Sequence, residues 1–469
     1  MKFALAQADI TPDHPVFMHG FGARTHKSEG VHDPIRMKAA LLQTDRSLLM
    51  VTIDTLGSDR SFVVDLKAAL KRDFGLEPAE VMINFSHTHH SVYLTGRDES
   101  LRKGGYSMGQ EQWPSSEREL VYTEDEAYYD FIEATLLSMV RDCYDGLIEG
   151  ELLLGCVQSD FGVSRRRPDG RGGVEWKPYY EGKIDRDLFV LKLVDAEQRV
   201  KGILYNYGCH TTAAGSANYL FSGDFAGAAS NWLEAAYPDA IAMFLQGCAG
   251  EIKPMKSADG DGFKSCTMGE MEEAGVDLAK EVAELLEHGS FSPVQSTGFR
   301  SVLLDPTVYT EHTPIEEFEA IANDPAAADF YRKSALRTIE AIQDGTIKDS
   351  LPLYISIWQL ADDVRIIAIE GEVSTQYALM IKRMFGNGKT LVLGYTNGVF
   401  CYIPTAQMIR EGGYEATCNF FFGLSGPFVP EIEDIIIGQI AKAILGEKLE
   451  NDPEIGGKSS SNGSMRLIL

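Results

Sequence analysis

Strand-like and helix-like segments alternate along almost the whole chain, and this alternation restricts the possible folds more than any other feature. Residues 39–53 have the pattern of two strands around a polar turn, residues 62–74 have helical spacing, and residues 81–86 form a short apolar run. The alternation continues to a last amphipathic helix at residues 431–445. No fixed-period repeat or Pro/Gly/Ser-rich linker divides this body. The pattern predicts an α/β fold with a mixed sheet in one large domain, residues 1–445.

Three further segments carry predictions about local structure. The apolar pattern predicts a single strand over residues 151–162. Helical spacing begins at Val373, so Glu372 is expected at the start of a helix that runs to Phe385. Residues 446–469 are rich in Gly, Ser, Asn and charge and have little to bury, which predicts a disordered tail.

Composition limits the partners that the protein can have. The chain has 469 residues, with 43 Lys and Arg against 69 Asp and Glu, and a formal net charge of −26. Such an acidic chain is unsuited to nucleic acid or to anionic membranes. The N-terminal apolar run is too short for a signal peptide, no stretch is long enough to insert into a membrane, and the seven cysteines contain no CxxC pair. We therefore expect a cytoplasmic protein with a small-molecule substrate, and homo-oligomer formation stays open.

A histidine-rich strand end is the first candidate for chemistry. The sequence SHTH occupies residues 86–89, and alternation places His87 and His89 on one face and His90 on the other. Two imidazoles at one strand end suit zinc, although a solvated polar strand end has the same pattern. Neither HExxH nor HxHxDH occurs in the chain.

Two other predicted strands also end in residue types that are common metal ligands. One apolar run leads through Gly208 and Cys209 to His210, and another leads through Gly371 to Glu372. A carboxylate in the latter place is either a charge at a helix N-terminus or a metal ligand. The sequence alone leaves both interpretations open.

Taken with further short motifs, these strand ends resemble the catalytic domain of the neutral ceramidases. The resemblance runs in order from about residue 5 to about residue 440, and each motif is short. The motifs are ADIT at 8–11, FGVSRR at 161–166, SGD at 222–224, LQGCAG at 245–250 and the segment 397–402.

The resemblance implies a zinc ion and a set of site residues. It assigns the zinc ligands to His87, His210, Glu372 and Tyr402. It places His89 beside the metal as a proton-handling group. A second tyrosine, Tyr414, and the arginine Arg165 complete the implied site, with Arg166 as the neighbouring alternative for the arginine.

The chain also departs from the family pattern. Lys253 stands where a serine nucleophile was proposed, and Glu251 replaces an aspartate, so zinc-activated water survives as the mechanism and a serine nucleophile does not. His90-Ser91-Val92-Tyr93 replaces a Gly/Pro-rich run, which puts lipid specificity in doubt.

These observations lead to one main hypothesis and two alternatives. The main hypothesis is a zinc-dependent hydrolase that uses zinc-activated water to cleave the C–N amide bond of an N-acyl compound, either ceramide-like or, as the charge favours, smaller and more polar. The first alternative is a zinc-dependent carbohydrate-active enzyme, a lyase or a glycosidase, with Tyr402 or Tyr414 as the acid or base. The second is a metal-binding or ligand-sensing protein without catalysis.

Overall fold

The computed structural model describes residues 1–96, 115–385 and 389–450 and confirms the α/β fold with mixed sheets. The larger sheet has nine strands, both parallel and antiparallel, and the short strand Ser292–Pro293 pairs beside Ile148–Gln158. Its other eight strands lie in the following spatial order: Ile241–Gln246, Val200–Tyr207, Asp187–Asp195, Ile148–Gln158, Lys2–Asp9, Arg36–Gln43, Ser47–Ile53 and Val81–Phe85.

A second sheet packs face to face on the first. Phe3 and Met50 of the larger sheet and Trp358 and Ile366 of the smaller sheet belong to the same buried cluster, so apolar burial holds the two sheets together. The four strands of the smaller sheet lie in the order Arg300–Leu304, Ile355–Ala361, Val364–Ile369 and Thr390–Leu393.

Helices cover the outer faces of both sheets, which gives four layers in the order helix, sheet, sheet, helix. None of the helices in the described ranges is both long and apolar enough to cross a membrane. The α-helices are Arg60–Phe74, Ser115–Asp145, Asp224–Ala236, Met268–His288, Ile315–Asn323, Asp329–Gln343, Thr375–Phe385, Ala406–Glu411, Tyr414–Thr417 and Ile432–Glu450.

Short strands complete the architecture. Three of them form a small sheet in the order Val174–Tyr179, Gly162–Pro168 and Ile252–Pro254. The others pair in twos: Gly30–Val31 with Leu220–Phe221, Gly57–Ser58 with Tyr93–Leu94, Ala258–Asp259 with Gly262–Phe263, Thr307–Tyr309 with Ser350–Pro352, and Glu372–Val373 with Tyr402–Ile403.

Capping residues explain where the first long helix begins and ends. The Asp59 side chain accepts a hydrogen bond from the Phe62 N–H, which satisfies one of the free donors at the N-terminus. Gly75 adopts a left-handed conformation with φ 71° and donates its N–H to the Lys71 carbonyl. This helix packs against Val81–Phe85, the strand that leads into the histidine motif.

Polar side chains join the strand ends where the functional residues lie. The Asn84 carboxamide accepts from the Gln246 N–H at 2.8 Å and donates to the Gly394 carbonyl at 3.0 Å. One amide therefore links the two outermost strands of the larger sheet to the end of a strand in the smaller sheet. Because these groups are buried, their mutual hydrogen bonds fix the relative positions of the three strand ends.

Two predicted elements differ from the structure. The strand predicted over residues 151–162 ends at Gln158, because the Ser159 hydroxyl accepts from the Phe161 N–H in a turn before Gly162–Pro168 begins. Glu372 lies in the two-residue strand Glu372–Val373, and the following helix begins only at Thr375. The last helix continues to Glu450, so residues 446–450 are helical, while residues 451–469 of the predicted tail lie outside the described residues.

Candidate metal centre

His87 lies in the loop that follows the strand Val81–Phe85. Its backbone has φ 61°, an uncommon conformation for a residue with a side chain, and its N–H donates to the Thr55 carbonyl at 3.1 Å. The ring is buried, and Nδ1 is 2.6 Å from the Leu56 carbonyl oxygen. Because a carbonyl only accepts, Nδ1 carries the proton and the Nε2 lone pair faces the centre of the site.

His210 is held in the same way from the other side. Its backbone N–H donates to the Ile252 carbonyl at 3.0 Å, and Nδ1 lies 2.8 Å from the Ala249 carbonyl oxygen. Burial lowers the pKa of His210 to about 4, so its imidazole is neutral at pH 7. An imidazole whose outer N–H is bound to a carbonyl is the usual arrangement for a metal-ligating histidine.

Glu372 completes the group as the residue directly opposite Tyr402 in the short parallel pair. Its Oε2 atom lies 3.1 Å from His210 Nε2 and 3.3 Å from His87 Nε2. The same oxygen is buried and accepts no hydrogen bond from any described residue. Gly371 makes the approach possible: it has φ 89°, and a Cβ there would lie 2.9 Å from the Cys401 carbonyl oxygen.

These distances fit a metal ion. Two atoms bound to a tetrahedral zinc at about 2.0–2.1 Å are separated by about 3.3 Å. The Tyr402 hydroxyl is 3.4 Å from His210 Nε2, which puts it at the same spacing as the imidazole and carboxylate atoms. A buried carboxylate oxygen without a hydrogen-bond donor is costly unless a cation compensates it. The donor set of two imidazoles, one carboxylate and a phenol therefore suits zinc.

His89 also faces this centre. Its Nε2 lies 3.3 Å from His87 Nε2, and the potential ligand atoms of His87, His89 and His210 all lie within 4.8 Å of one another. Burial, followed by the neighbouring imidazoles, lowers the pKa of His89 well below its usual value. His90 points elsewhere, with Nε2 3.5 Å from Asp224; because residues 86–90 form a loop, the strand alternation used to predict this separation does not apply.

The ring of His89 is positioned by packing. It lies against Phe21, with the ring centroids 4.7 Å apart, and a Cβ on Gly20 would come within 2.5 Å of Nδ1. Its Nδ1 atom is buried and has no hydrogen-bond partner among the described residues. His89 thus has one ring nitrogen at the centre and the other free, so its assignment as a proton-handling group stays a prediction.

A buried ion network lies on the far side of Tyr402. The Arg165 guanidinium donates to the Tyr402 hydroxyl at 3.2 Å and to Glu415 at 2.7 Å. Arg166 donates to the other oxygen of Glu415 at 2.8 Å. Although burial opposes ionisation, the two arginines lower the pKa of Glu415 below its usual value. Arg165 is therefore the arginine that contacts the site, and Arg166 donates to the Glu415 carboxylate.

Aromatic rings flank the same side of the centre. The rings of Tyr402 and Tyr414 are 5.5 Å apart, and Trp176 stands edge-on to Tyr414 at 5.5 Å. The Arg165 guanidinium lies 4.1 Å from the Trp176 ring centroid, which is a cation–π distance. Burial raises the pKa of Tyr402 well above its usual value, with Glu372 adding to the shift.

The structure brings together all of the site residues expected from the sequence and adds two that were missed. Glu415 fixes Arg165, and Tyr395 places its hydroxyl 3.4 Å from His210 Nδ1. Tyr395 follows the strand Thr390–Leu393, so its place at a strand end was a usable signal. The sequence carries no comparable signal for Glu415, because its partner Arg165 lies 250 residues earlier in the chain.

The fold and the donor set define a class: a four-layer α/β protein with a buried candidate metal centre at the ends of its strands. No protein-family model matches the chain. The neutral ceramidase of Drosophila melanogaster is 24% identical over 252 residues, which are 50% of this chain and 32% of the relative. Neutral ceramidase 1 of Arabidopsis thaliana is 24% identical over 234 residues, 49% of this chain and 28% of the relative.

Solved structures agree with the sequence matches. The crystal structure of neutral ceramidase from Pseudomonas aeruginosa superposes with a TM-score of 0.70 and 17% identity, covering 95% of this chain and 74% of the other. A ceramidase complexed with C2 gives 0.68 and 17%, covering 97% and 75%. The predicted resemblance is therefore confirmed: the chain resembles the neutral ceramidases in sequence over about half of its length and shares their fold. The matched segments span about a third of the length of the curated relatives.

Proposed function

We propose that the chain is a zinc-dependent hydrolase that cleaves the C–N amide bond of an N-acyl compound. The observation that carries this proposal is the spacing of the His87, His210 and Glu372 atoms, with both outer N–H groups bound to backbone carbonyls. The relatives named as ceramidases support the amide bond as the target. The net charge of −26 supports a substrate smaller and more polar than ceramide.

His87, His210, Glu372 and Tyr402 would hold the ion. A zinc ion bound there supplies a Lewis acid that polarises a carbonyl oxygen and acidifies water. The protein's own part begins with Arg165, whose guanidinium donates to the Tyr402 oxygen at 3.2 Å and holds it at the centre. Donors and positive charge fixed in this place stabilise the substrate oxygen on which negative charge develops.

His89 is the group placed to move a proton. Amide hydrolysis adds the oxygen of water to the acyl carbon and breaks the C–N bond, and the leaving amine needs a proton. The free Nδ1 and the centre-facing Nε2 of His89 provide one site that accepts and one that donates. Arg165, fixed by Glu415, orients Tyr402 and adds positive charge beside the reacting oxygen.

Metal analysis and a substrate panel test this proposal together. We expect about one zinc per chain by mass spectrometry, and loss of that zinc with loss of turnover in His87→Ala. The panel contains short N-acyl amino compounds, ceramide and glycosides. Cleavage of the amides supports the proposal. Cleavage of glycosides alone supports a carbohydrate-active enzyme, and bound zinc with no turnover supports a metal-binding protein. Absence of zinc from the wild-type protein overturns the metal centre.

A further inference from the structure

Lys253 lies between the two halves of the candidate site and takes no part in the mechanism proposed above. It is the middle residue of the strand Ile252–Pro254 and pairs with Val163. The residue before it accepts the His210 N–H at 3.0 Å, and Glu251 accepts the Arg165 N–H at 2.9 Å through its carbonyl. The two residues that precede Lys253 are therefore hydrogen-bonded to the backbones of a proposed zinc ligand and of the site arginine.

The side chain of Lys253 is half-buried and has no counter-ion among the described residues. Its Nζ donates to the Thr212 hydroxyl at 3.1 Å and lies 5.6 Å from the centroid of the Phe263 ring. No carboxylate of a described residue lies within 4 Å of it. Asp224, an acid in the same region, uses both oxygens to accept the backbone N–H groups of Ala213 and Ala214. An ammonium group has three donors, so Lys253 retains donors for a further partner.

Two other buried lysines pair with carboxylates, whereas Lys67 donates to a backbone carbonyl. Lys38 bonds Glu234 at 2.7 Å, and Lys382 bonds Asp185 at 2.6 Å and Asp187 at 2.9 Å. A partly buried ammonium without a carboxylate partner is costly, because it loses hydration and gains no attraction to a counter-ion. Burial, with the added repulsion of Arg165, lowers the pKa of Lys253 to about 8.

The charges around Lys253 indicate that its missing partner is an anion. Glu415 balances Arg165, and Glu411 at 3.2 Å helps to balance Arg166, so those two cations are already paired. Lys253 leaves an unbalanced positive charge next to the site in a protein whose net charge is −26. A protein this acidic repels anionic ligands at long range, and a fixed cation inside the site compensates locally.

We infer that Lys253 binds an oxyanion group of the substrate, a carboxylate or a phosphate located close to the scissile amide. The substrate class is then N-acyl compounds with an anionic group on a short chain, such as N-acyl amino acids. This inference rests on the proposed amide hydrolase function for its catalytic meaning, but the binding itself does not need turnover. Lys253 acts here as a specificity-determining residue.

Three substrates with the same acyl chain provide the kinetic test. N-hexanoylglycine ends in a carboxylate, and N-hexanoylethanolamine has a neutral hydroxymethyl group in the same place. N-hexanoyl-O-phosphoethanolamine carries a phosphate there. We expect Lys253→Met to raise KM for the preferred anionic substrate about 10- to 100-fold, because a charge-assisted hydrogen bond is lost. The ethanolamide KM stays within about twofold, because it has no charge to lose. The phosphate and carboxylate arms show which oxyanion is preferred.

Two variants separate charge recognition from a structural role. Lys253→Arg keeps the positive charge and recovers most of the anionic preference. Lys192→Met is the matched control: Lys192 is also half-buried, lies 3.9 Å from the Phe291 ring centroid and has no acidic partner among the described residues. We expect it to leave all three KM values unchanged. An equal change for charged and neutral substrates in Lys253→Met overturns the inference.

A binding experiment distinguishes failure of this inference from failure of the proposed function. Calorimetric titration with N-hexanoylglycine measures binding in the wild type and in Lys253→Met, whether or not the amide is cleaved. Binding that is lost in the variant supports the anion site even if no amide turns over. Turnover of the neutral amide with equal binding of the anion by both proteins leaves the hydrolase intact and overturns the role of Lys253.

Discussion

Glu370 and Glu372 are two residues apart and are both almost completely buried, yet the structure treats them in opposite ways. Arg60 reaches Glu370 with a nitrogen–oxygen distance of 2.5 Å, and the Tyr354 N–H donates to the same carboxylate at 2.8 Å. Glu372 instead meets the Nε2 atoms of two imidazoles, and its Oε2 accepts no hydrogen bond from a described residue. Gly371, with φ 89°, separates the two environments.

The two carboxylates differ in whether the chain itself supplies a counter-ion. Glu370 has its counter-ion within the chain, so its charge is part of the structure and holds the helix Arg60–Phe74 to the smaller sheet. Among the described residues no Lys or Arg contacts Glu372, and the groups that face its Oε2 are two imidazoles whose outer nitrogens lie against backbone carbonyls. Under the proposed function, an external cation completes the second environment.

Glu372→Gln gives the largest expected effect. The substitution removes the only carboxylate from the proposed ligand set, so we expect zinc content to fall below about a tenth of the wild-type value and activity to fall at least about a thousandfold. The metal-free protein keeps or gains stability, because a buried charge without a counter-ion is removed. Metal analysis and urea unfolding of the metal-free forms measure both effects. A variant that keeps its zinc contradicts the ligand role of Glu372.

Glu370→Gln is the matched variant, with the opposite pattern. It leaves Arg60 with Asp305 at 2.9 Å as its remaining acidic partner, and breaking a buried ion pair costs about 3–5 kcal/mol. We expect the free energy of unfolding to fall by about that amount while the folded protein still binds zinc. Unfolding curves and metal content measure the two quantities. If Glu370→Gln loses zinc while its free energy of unfolding is unchanged, the structural role given to Glu370 is contradicted.

Lys67 provides a smaller test of the Glu370 environment. Burial lowers its pKa to about 7, with Glu370 opposing the shift and Arg60 adding to it, while Nζ donates to the Pro78 carbonyl at 3.0 Å. The unfolded chain keeps Lys67 protonated to about pH 10 and so binds more protons than the folded protein above pH 7. This group therefore makes stability rise with pH between 7 and 9, by up to about 1.4 kcal/mol per pH unit.

The contribution of Lys67 is measured by unfolding the wild type and Lys67→Met across this pH range. We expect the variant to lose the rise in stability that Lys67 causes. Lys71→Met is the control on the same helix, because Lys71 is exposed and pairs with Glu77 at 2.8 Å, and it should keep the wild-type slope. An unchanged slope in Lys67→Met contradicts the burial effect on this lysine.

The sequence predicted much of the fold because most elements carry a strong local pattern. The paired strands Arg36–Gln43 and Ser47–Ile53 and the helix Arg60–Phe74 lie within a few residues of their predicted limits. The pattern failed at Ser159, where a side-chain hydrogen bond turns the chain, and at Glu372, where pairing with Tyr402 replaces the first turn of a helix. Both are contacts that apolar periodicity does not record.

The site was predicted in part for the same reason. Strand ends identified His87, His210 and Glu372 as candidates, and the resemblance to a family added Tyr402 and Arg165. Glu415 was missed because its partner lies 250 residues away in the chain. The pairing of Lys253 with a hydroxyl in place of a carboxylate was likewise invisible, since it depends on which acids the fold brings near.

By itself, the sequence determined which residues stand at strand ends and which segments are helices or strands, because periodicity and turn chemistry act over a few residues. The EGE run at 370–372 offers the same carboxylate twice, and its local sequence does not distinguish the two. Only the tertiary structure decided that Arg60, 310 residues from Glu370, neutralises one and that two imidazoles face the other. Charge compensation depends on distance in space, and the packing of the two sheets sets that distance.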